Sequence, residues 1–190
     1  MPDRAERRGL ELVAVGGAGE ALLDGLGREL DRVFGTRAFR GPPLPLLDAW
    51  RDPGTGQLRS GDVVDALIAR SDALRTDGSR LWSLAVTGAE LGAPGRTFVF
   101  GEATVGGCCA VVSLARLAEP GGDLRSPRLR TRLLAEAVHE LGHVAGLEHC
   151  DRPACVMSPA ATVEDVDRRG AGLCARCMSM LRDAVRHRSA

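Results

Sequence analysis

The sequence predicts a mixed α/β (α+β) fold, and three features of the chain lead to this prediction. Short apolar runs of strand character alternate with stretches of helical periodicity through the first half. One long amphipathic helix is indicated around residues 126–145, and two short-spaced pairs of cysteines follow it. At 190 residues, the chain has the length of one domain and can bury a sizeable core. We therefore expect one domain over residues 1–190, divided by a cleft into two lobes.

The first half supplies several strands and two helices. Helices are predicted over residues 20–34 and from Ser60 or Asp62 to about residue 74, with Ser60 as a candidate N-cap. Residues 41–56 are rich in Pro and Gly, so we expect a loop around one short strand. Apolar runs predict further strands, which occupy residues 10–15, 81–86, 97–100 and 110–117.

The long helix in the second half has a defined start. Ser126 is a preferred N-cap residue, and Pro127 suits the first helical position. The helix should run to residue 144 or 145, with one stripe of side chains facing the core, formed by Leu134, Val138, Leu141 and Ala145. Three arginines near its start oppose the helix dipole and are expected on a solvated face, namely Arg128, Arg130 and Arg132.

The composition excludes some partners and some catalysts. The chain carries 25 basic and 25 acidic residues, so its formal net charge of zero predicts neither nucleic acid nor an anionic membrane as a partner. All the basic residues are arginine, and the sequence contains no lysine and no tyrosine. Neither residue type can therefore serve as an acid, a base or a donor to an oxyanion in this protein.

No signal peptide or membrane span is predicted. The apolar run after the charged N-terminus is short and contains Glu11, and no stretch approaches the roughly 20 apolar residues of a membrane span. We expect a cytoplasmic protein in which thiols stay reduced, so that its cysteines act as metal ligands or buried thiols. Cys108 and Cys109 precede an apolar run and are expected to be small buried residues rather than ligands.

Within the long helix, His139-Glu140-Leu141-Gly142-His143 has the spacing of a zinc site. Histidines four residues apart lie on one helical face, so both imidazoles can bind one ion. Glu140 directly follows the first histidine, where its carboxylate can take a proton from a zinc-activated water without binding the metal. Such a pair of histidines can also simply face solvent, so the motif alone does not decide the function.

A third ligand follows the helix at the spacing that a catalytic zinc site requires. Such sites have three protein ligands and one open position. Gly146 can adopt the left-handed conformation that ends a helix, and the chain can then fold back to bring His149 to the same ion. Gly146 also marks the expected boundary between an upper lobe, residues 1–146, and a lower lobe, residues 147–190. The fourth histidine, His187, is expected on the surface.

Four cysteines after the helix form a second candidate metal site. Two short-spaced pairs of thiolates are typical of a closed structural zinc site, and here they are Cys150, Cys155, Cys174 and Cys177. Two disulfides are an alternative, and a redox role for the C-x-x-C pair is another, which the lack of a preceding strand disfavours. Because Cys150 directly follows His149, a structural zinc ion would fix the loop that carries the third histidine. Met157, taken alone, is a core residue in a turn.

The C-terminal third resembles the archaemetzincins, zinc metallopeptidases of the metzincin clan. The family's motifs are an extended histidine motif, then Cys-x-Met, then C-x-x-C, and they are matched at His139–Cys150, Cys155–Met157 and Cys174–Cys177. Weaker resemblance extends upstream to residues 98–103 and 112–117. The resemblance implies two zinc ions per chain, one catalytic and one structural. It also places Met157 in the Met-turn, beneath the catalytic site.

The resemblance further implies a fold and an activity. The fold would be a metzincin-like catalytic domain, with a twisted mixed β-sheet and long helices in the upper lobe and a small zinc-stabilised C-terminal lobe. The activity would be peptide-bond hydrolysis with Glu140 as general base, aminopeptidase-like on short peptides, with the substrate along an edge strand within residues 97–104. Without tyrosine, an oxyanion would be stabilised by zinc, backbone N–H groups or an arginine.

We expect a monomer that binds peptide substrates. The alternative to an enzyme is a zinc-stabilised binding module whose catalytic site is vestigial or unused. The intact Glu140 disfavours that alternative, because a purely structural zinc site has no need of an unliganded carboxylate beside it.

Overall fold

A computed structural model describes residues 9–17, 20–74 and 82–189, without the side chains of residues 73–74 and 187–189. The first eight residues, the start of the strand predicted at residues 81–86 and the side chain of His187 therefore lie outside the described residues. Among the described helices, none has the length and apolar character needed to cross a membrane.

A five-stranded mixed sheet forms the centre of the fold. Its spatial order is β2-β1-β4-β7-β6, in which β6 is antiparallel to β7 and the other neighbours are parallel. The strands of this sheet are β1 (Leu10–Val15), β2 (Ala38–Arg40), β4 (Trp82–Thr87), β6 (Gly101–Ala103) and β7 (Cys109–Ser113). Two short strands, β3 (Leu58–Arg59) and β5 (Leu91–Gly92), form a second, parallel pair. Because β6 has a strand on one side only, its other side is an edge that faces the candidate site.

Helices cover both faces of the larger sheet. The helices are α1 (Glu20–Phe34), α2 (Ser60–Leu74), α3 (Pro127–Val144), α4 (Val163–Arg169) and α5 (Ala175–Ser189). Alternate residues of β1 enter two separate buried clusters, as the period of a strand requires. Leu10 and Leu12 pack with α1 and α3, whereas Val13 and Val15 pack with α2. The mixed α/β fold predicted from the sequence is therefore confirmed.

Two strand predictions were wrong in their bounds. The strand expected over residues 97–100 is reduced to one bridge between Val99 and Leu91, and the paired residues follow at β6. The strand expected to reach residue 117 ends at Ser113, whose hydroxyl donates to the carbonyl of Ala89 and accepts from the N–H of Ala115. This side-chain turn redirects the backbone although the apolar sequence continues.

The loop predicted over residues 41–56 carries two isolated bridges, of Leu44 to Val15 and of Arg51 to Leu58, and a short 3-10 helix, Asp48–Trp50. The strand β2, which directly precedes this loop, was not predicted. Its three residues are too few to show a periodic pattern.

The two predicted N-caps differ from expectation in their side chains. Ser126 occupies the N-cap position of α3, but its hydroxyl makes no capping bond there. Ser60 is the first residue of α2, and its hydroxyl lies within hydrogen-bond distance of the carbonyl of Gly92 and of the carboxylate of Glu102. The Ser126 hydroxyl therefore does not cap α3, and the Ser60 hydroxyl connects α2 to β5 and β6.

One of the three arginines assigned to a solvated face of α3 is buried. Arg132 is 5% exposed, and its guanidinium makes two bonds to Asp167 of α4, at 2.7 and 2.8 Å. It also donates to the carbonyl of Leu117, at 2.8 Å. Arg128 and Arg130 remain exposed, as predicted. The error arose because the acceptor that buries Arg132 lies 35 residues away in the sequence.

Candidate metal centre

Helix α3 brings two of the three predicted histidines together, and the turn after it adds the third. Gly146 has a φ of 90°, the left-handed conformation predicted for it, and the chain folds back from this point. The imidazole centroids of His139, His143 and His149 then lie 4.7, 4.9 and 5.3 Å from one another. One ligand atom from each ring lies within 4.8 Å of the others, so the three residues could hold one metal ion.

Backbone carbonyls orient the two histidines of α3. The Nδ1 atom of His139 lies 2.7 Å from the carbonyl oxygen of Val156, and that of His143 lies 2.8 Å from the carbonyl oxygen of Leu147. Each Nδ1 must carry the proton to donate these bonds, which leaves each Nε2 as a bare lone pair.

The two Nε2 atoms lie 3.2 Å apart. Two lone pairs at this separation repel unless a cation lies between them. Nitrogens bound to one tetrahedral zinc ion are about 3.4 Å apart, given Zn–N bonds of about 2.1 Å. The geometry of the pair therefore fits zinc.

The three imidazoles are held in the neutral form that a metal requires. Burial lowers the pKa of His139 well below its ordinary value, and the charge of Arg169 acts in the same direction. Burial likewise lowers the pKa of His143 and of the more exposed His149. All three histidines are therefore ready to accept a cation near neutral pH without first losing a proton.

Glu140 lies beside the histidines and packs against the edge strand. It is 5% exposed, and a Cβ added to Gly101 of β6 would come within 2.7 Å of its Cγ and Oε1 atoms. Only glycine therefore lets the carboxylate lie this close to the strand. Burial raises the pKa of Glu140 well above its ordinary value, and the negative charges of Glu136 and Glu102 reinforce this effect.

Met157 lies directly beneath the helix that carries the motif. Its side chain is fully buried, and a Cβ added to Gly142 would come within 2.4 Å of its sulfur atom. The glycine inside the histidine motif is thus needed for the close approach of Met157. The role of Met157 in a Met-turn, which the sequence resemblance implied, stays a prediction.

A buried ion pair supports the first histidine from behind. Arg169, at the end of α4, donates to the carboxylate of Glu136 on α3 and to the carbonyl of Ser158. Both charged side chains are 2% exposed, and an Arg169 nitrogen lies 3.0 Å from Nδ1 of His139. Burial raises the pKa of Glu136, while Arg169 opposes that shift. The ion pair therefore joins α4 to α3 beside His139.

A cavity of about 550 Å³ opens over the histidines and Glu140. It lies between the edge segment, residues 96–103, and the opposite wall, residues 159–161. The acidic groups Glu102 and Glu148 and the basic group Arg96 also line it. An extended peptide could lie between these two walls with its backbone against β6.

The four cysteines of the second predicted site also converge. Their sulfur atoms all lie within 4.8 Å of one another, and those of Cys150 and Cys174 are 3.9 Å apart. Sulfurs around a tetrahedral zinc ion are about 3.8 Å apart, given Zn–S bonds of about 2.3 Å. These four cysteines, all of them described, form no disulfide with one another, so the two-disulfide alternative is not formed. The donor set and its spacing therefore fit a structural zinc ion.

The C-x-x-C pair opens helix α5, and this position favours a thiolate. The backbone N–H of Cys177 lowers the pKa of Cys174 to about 7. Burial, in contrast, raises the pKa of the Cys177 thiol. A metal that binds all four sulfurs would therefore displace protons, most of them from the buried thiols.

Three consecutive residues connect the two candidate metal sites. Cys155 supplies a thiol to the cysteine cluster, Val156 bonds to His139 through its carbonyl, and Met157 packs under Gly142. The N–H of Cys150 also donates to the carbonyl of Met157, at 2.9 Å. Together with the peptide bond between His149 and Cys150, these contacts join the sites mechanically.

The sequence profile described as "Peptidase family M54" matches residues 60–183, which is more than half of the chain and includes every predicted ligand. The chain belongs to peptidase family M54. Its curated relatives are archaemetzincins. That of Archaeoglobus fulgidus is 46% identical over 53% of this chain and 59% of its own length. The archaemetzincin of Methanocaldococcus jannaschii is 33% identical over 89% of this chain and 90% of its own length.

The match to some family M54 members is partial in length. The segments matched in the archaemetzincins of Archaeoglobus fulgidus and Methanopyrus kandleri span 59% and 54% of those proteins. Solved structures cover more of the chain. The Methanopyrus kandleri archaemetzincin has a TM-score of 0.79 and 27% identity over 98% of this chain and 99% of its own.

Another solved neighbour is described as a zinc-dependent peptidase, from Methanocorpusculum labreanum, with a TM-score of 0.82 and 25% identity over 91% and 100% of the two chains. These matches confirm the predicted archaemetzincin resemblance and the fold it implied.

Some residues of this family M54 site were not identified from the sequence. Glu136 precedes His139 by three positions and therefore shares its helical face, a signal that was available. Arg169 gave no such signal, because its partners Glu136 and Ser158 come near it only after α4 packs on α3. The carbonyl partners of the histidines were equally invisible, since every residue has a carbonyl group.

Proposed function

We propose that this chain is a zinc-dependent metallopeptidase that hydrolyses peptide bonds. The catalytic zinc ligands would be His139, His143 and His149, and the structural zinc ligands would be Cys150, Cys155, Cys174 and Cys177. The observation that carries the proposal is the convergence of two bare Nε2 lone pairs beside a buried, unliganded carboxylate. Membership of a family described as peptidases supports it.

In this proposal, Glu140 is the general base. When bound, a zinc ion supplies a Lewis acid that polarises the scissile carbonyl and acidifies the attacking water. The carboxylate of Glu140 accepts the proton of that water and then delivers it to the leaving amine. The raised pKa of Glu140 suits a group that must hold the proton between these two events. Gly101 leaves room for the carboxylate beside the peptide that β6 would bind.

Replacing Glu140 by glutamine tests this role. The amide keeps the shape of the side chain but cannot accept the proton, so we expect peptide hydrolysis to fall by about 10²- to 10⁴-fold. The zinc content, measured by elemental analysis, should not change. The matched control is Glu29→Gln on α1, an exposed residue that contacts Arg32 of the same helix. Retained turnover in Glu140→Gln would remove this residue from the mechanism.

The finer proposal is aminopeptidase-like action on short peptides. The carboxylates of Glu102 and Glu148 line the cavity and offer negative charge to the free ammonium group of a substrate. Arg96 is the guanidinium on the cavity wall that can face an oxyanion, because Arg169 is engaged by Glu136 and Ser158. Digestion of paired peptides, with and without N-terminal acetylation, checks this proposal. Equal cleavage of both would reject aminopeptidase specificity.

We also propose that the protein functions in the cytoplasm, because the cysteine cluster requires reduced thiols to bind zinc. That it is a monomer is a separate proposal. A protein that only binds peptides is the alternative. Binding of a hydroxamate, a zinc chelator, to the folded protein would separate the two, since a chelator of this type binds only where a coordination position is open.

A further inference from the structure

Two thiols outside both candidate metal sites lie in contact with each other. Cys109 is the first residue of β7 and is fully buried, and Cys108, directly before it, is half-buried. Their sulfur atoms are 3.1 Å apart. Successive side chains of a strand point to opposite faces, so the thiols meet only because Cys108 belongs to the bend before the strand. The expectation of two inert buried residues is therefore incomplete.

The surroundings of the pair are polar on one side. The hydroxyl of Ser71 lies 3.7 Å from the sulfur of Cys109 and 3.2 Å from the hydroxyl of Ser83. Ser83 in turn donates to the carboxylate of Glu11 at 3.2 Å, and Glu11 is paired with Arg70. Cys108 is the less buried of the two cysteines, so a reagent from solvent reaches its sulfur before that of Cys109.

We propose that Cys108 and Cys109 are a redox-sensitive dithiol that closes reversibly into a disulfide between neighbouring residues. The oxidant would be a low-molecular-weight disulfide of the glutathione class. The Cys108 thiolate attacks one sulfur of this oxidant, which forms a mixed disulfide and releases one small thiol. Cys109 then attacks the Cys108 sulfur, loses its proton and displaces the second small thiol. Two protein thiols and one small disulfide thus become one protein disulfide and two small thiols.

The product would be easy to reduce again. Neighbouring Cα atoms across a trans peptide are about 3.8 Å apart, which is shorter than the roughly 4.4–6.8 Å of ordinary disulfides. A disulfide between neighbours is therefore strained, and strained disulfides have the more oxidising potentials of labile, regulatory bonds. The pair would respond to a shift in the thiol pool rather than serve as a permanent cross-link.

Closure of this ring would act on the edge strand. The carbonyl of Cys108 accepts from the N–H of Ser83 at 2.8 Å, and the carbonyl of Cys109 accepts from the N–H of Thr104 at 3.3 Å. In the same hairpin, the N–H of Gly106 donates to the carbonyl of His143 at 2.9 Å. Twisting the peptide between the two cysteines disturbs these bonds and displaces β6 relative to α3.

Peptide mapping tests the proposal directly. Trypsin releases residues 97–116, because arginines flank this segment, and it contains both cysteines and no other. The zinc-loaded protein is equilibrated with glutathione buffers of increasing oxidised fraction, free thiols are alkylated, and the peptide is weighed. We expect loss of two hydrogen atoms and no alkylation, at an oxidised fraction that leaves the other four cysteines and the zinc content unchanged. Dithiothreitol should restore the starting mass.

Two single variants assign the roles of the sulfurs. Cys109→Ser lacks the second thiol, so the peptide should accumulate a glutathione adduct on Cys108. Cys108→Ser should stay unmodified, because Cys109 is buried. The proposal is overturned if the unmodified protein gives only the adduct or no change, or if the zinc-site cysteines oxidise first. If a variant fails to fold, the mass of the peptide from the unmodified protein decides the test.

The mass readout does not depend on peptidase activity, so it stands if the proposed function is rejected. Where the protein does hydrolyse peptides, oxidation should raise KM by several-fold with bound zinc retained, since β6 moves. In Cys109→Ala, which cannot form the disulfide, the same glutathione buffers should leave the zinc-loaded protein without this two-hydrogen loss.

Discussion

Single residues of the histidine motif depend on backbone groups and on the absence of side chains. The carbonyl oxygens of Val156 and Leu147 set the tautomers of His139 and His143, so these imidazoles present Nε2 to a metal. Gly101 and Gly142 act by leaving space, the first for Glu140 and the second for Met157. The residues that surround the three histidines are therefore as constrained as the histidines themselves.

Gly142→Ala tests this constraint. The added methyl group would meet the Met157 sulfur at 2.4 Å, so the buried thioether must move. Forcing extra volume into a packed core costs about 1–3 kcal/mol, more than the gain of up to about 1 kcal/mol from alanine in a helix. We expect a lower free energy of unfolding in urea and weaker zinc retention during dialysis.

Gly25→Ala is the matched control for this change. Gly25 also lies within a helix, α1, but a Cβ there meets no atom within 4 Å. Its substitution should leave stability unchanged or raise it. Equal effects at both positions would show that Met157 yields without cost.

The sequence predicted the convergence of these histidines because metal chemistry restricts both residue type and spacing. Histidines at positions 139 and 143 can share an ion only on a helix, and Gly146 signals the turn that returns His149. The contact of Arg169 with Glu136 could not be predicted in this way. Many arginines in the chain could reach a carboxylate, and only the packing of α4 on α3 selects this pair.

Among the secondary-structure elements, α4 is held to α3 by charge. Arg132 is buried and donates to Asp167 from its Nε and Nη2 atoms, and Arg128 adds a further bond to the same carboxylate. These bonds lower the pKa of Asp167 to about 2, from the ordinary 3.8. A capping box between Thr162 and Asp165 forms the other end of α4.

Asp167→Asn should destabilise the fold in a pH-dependent manner. Because the folded-state pKa lies below the unfolded value, the carboxylate stabilises the fold fully above about pH 4 and loses this effect as the pH falls toward about 2. We expect a loss of about 2 kcal/mol at pH 7, a typical value for hydrogen bonds to charged groups. The difference from the unmodified protein, measured by urea unfolding, should shrink between these pH values.

Asp183→Asn provides the comparison on α5. Asp183 forms an exposed pair with Arg186 at 3.6 Å, and such pairs contribute little. Its effect should be small at every pH. A constant effect of Asp167→Asn down to pH 2 would contradict the assigned pKa.

Three of the long helices were predicted, whereas the long helix α5 and the short elements were not. Helices α1, α2 and α3 each carry 15 or more residues, so their apolar periodicity is evident in the sequence. Strand β6 has three residues, and its position is set by pairing with β7. Helix α4 has seven residues and few apolar side chains, so its existence depends on capping and on Arg132.

At the scale of the whole molecule, the part after Gly146 shares its core with the part before it. Leu147, Met157, Val166 and Leu181 belong to the same buried cluster as α1 and α3. We retain the division into two lobes at Gly146 as a proposal, with the cavity between them. The cysteine cluster would then stabilise the smaller lobe in addition to this shared core.

Cys174→Ala tests how strongly this lobe depends on the cysteine cluster. Structural zinc can contribute on the order of 10 kcal/mol to folding, and a cluster that lacks one thiol binds it poorly. We expect the C-terminal helices to unfold at a lower temperature and zinc bound by the histidines to be lost as well. Elemental analysis after dialysis and circular dichroism melting measure both effects.

Met180→Ala, an exposed position on the same helix α5, is the control and should retain its zinc and its melting temperature. If Cys174→Ala showed the same zinc stoichiometry and melting as the unmodified protein, the coupling between the two sites would be rejected.

The segment Cys155–Val156–Met157 has a practical consequence for inhibitor discovery. An electrophile that alkylates Cys174, the least buried thiol of the cysteine cluster, would disrupt the cluster that includes Cys155. It would thereby weaken the support that Val156 gives to His139 without occupying the cavity. Screening libraries rich in thiol-reactive compounds would therefore return many hits that do not compete with substrate. Testing each hit in competition with a chelator that binds in the cavity would separate substrate competitors from compounds that disrupt the cysteine cluster.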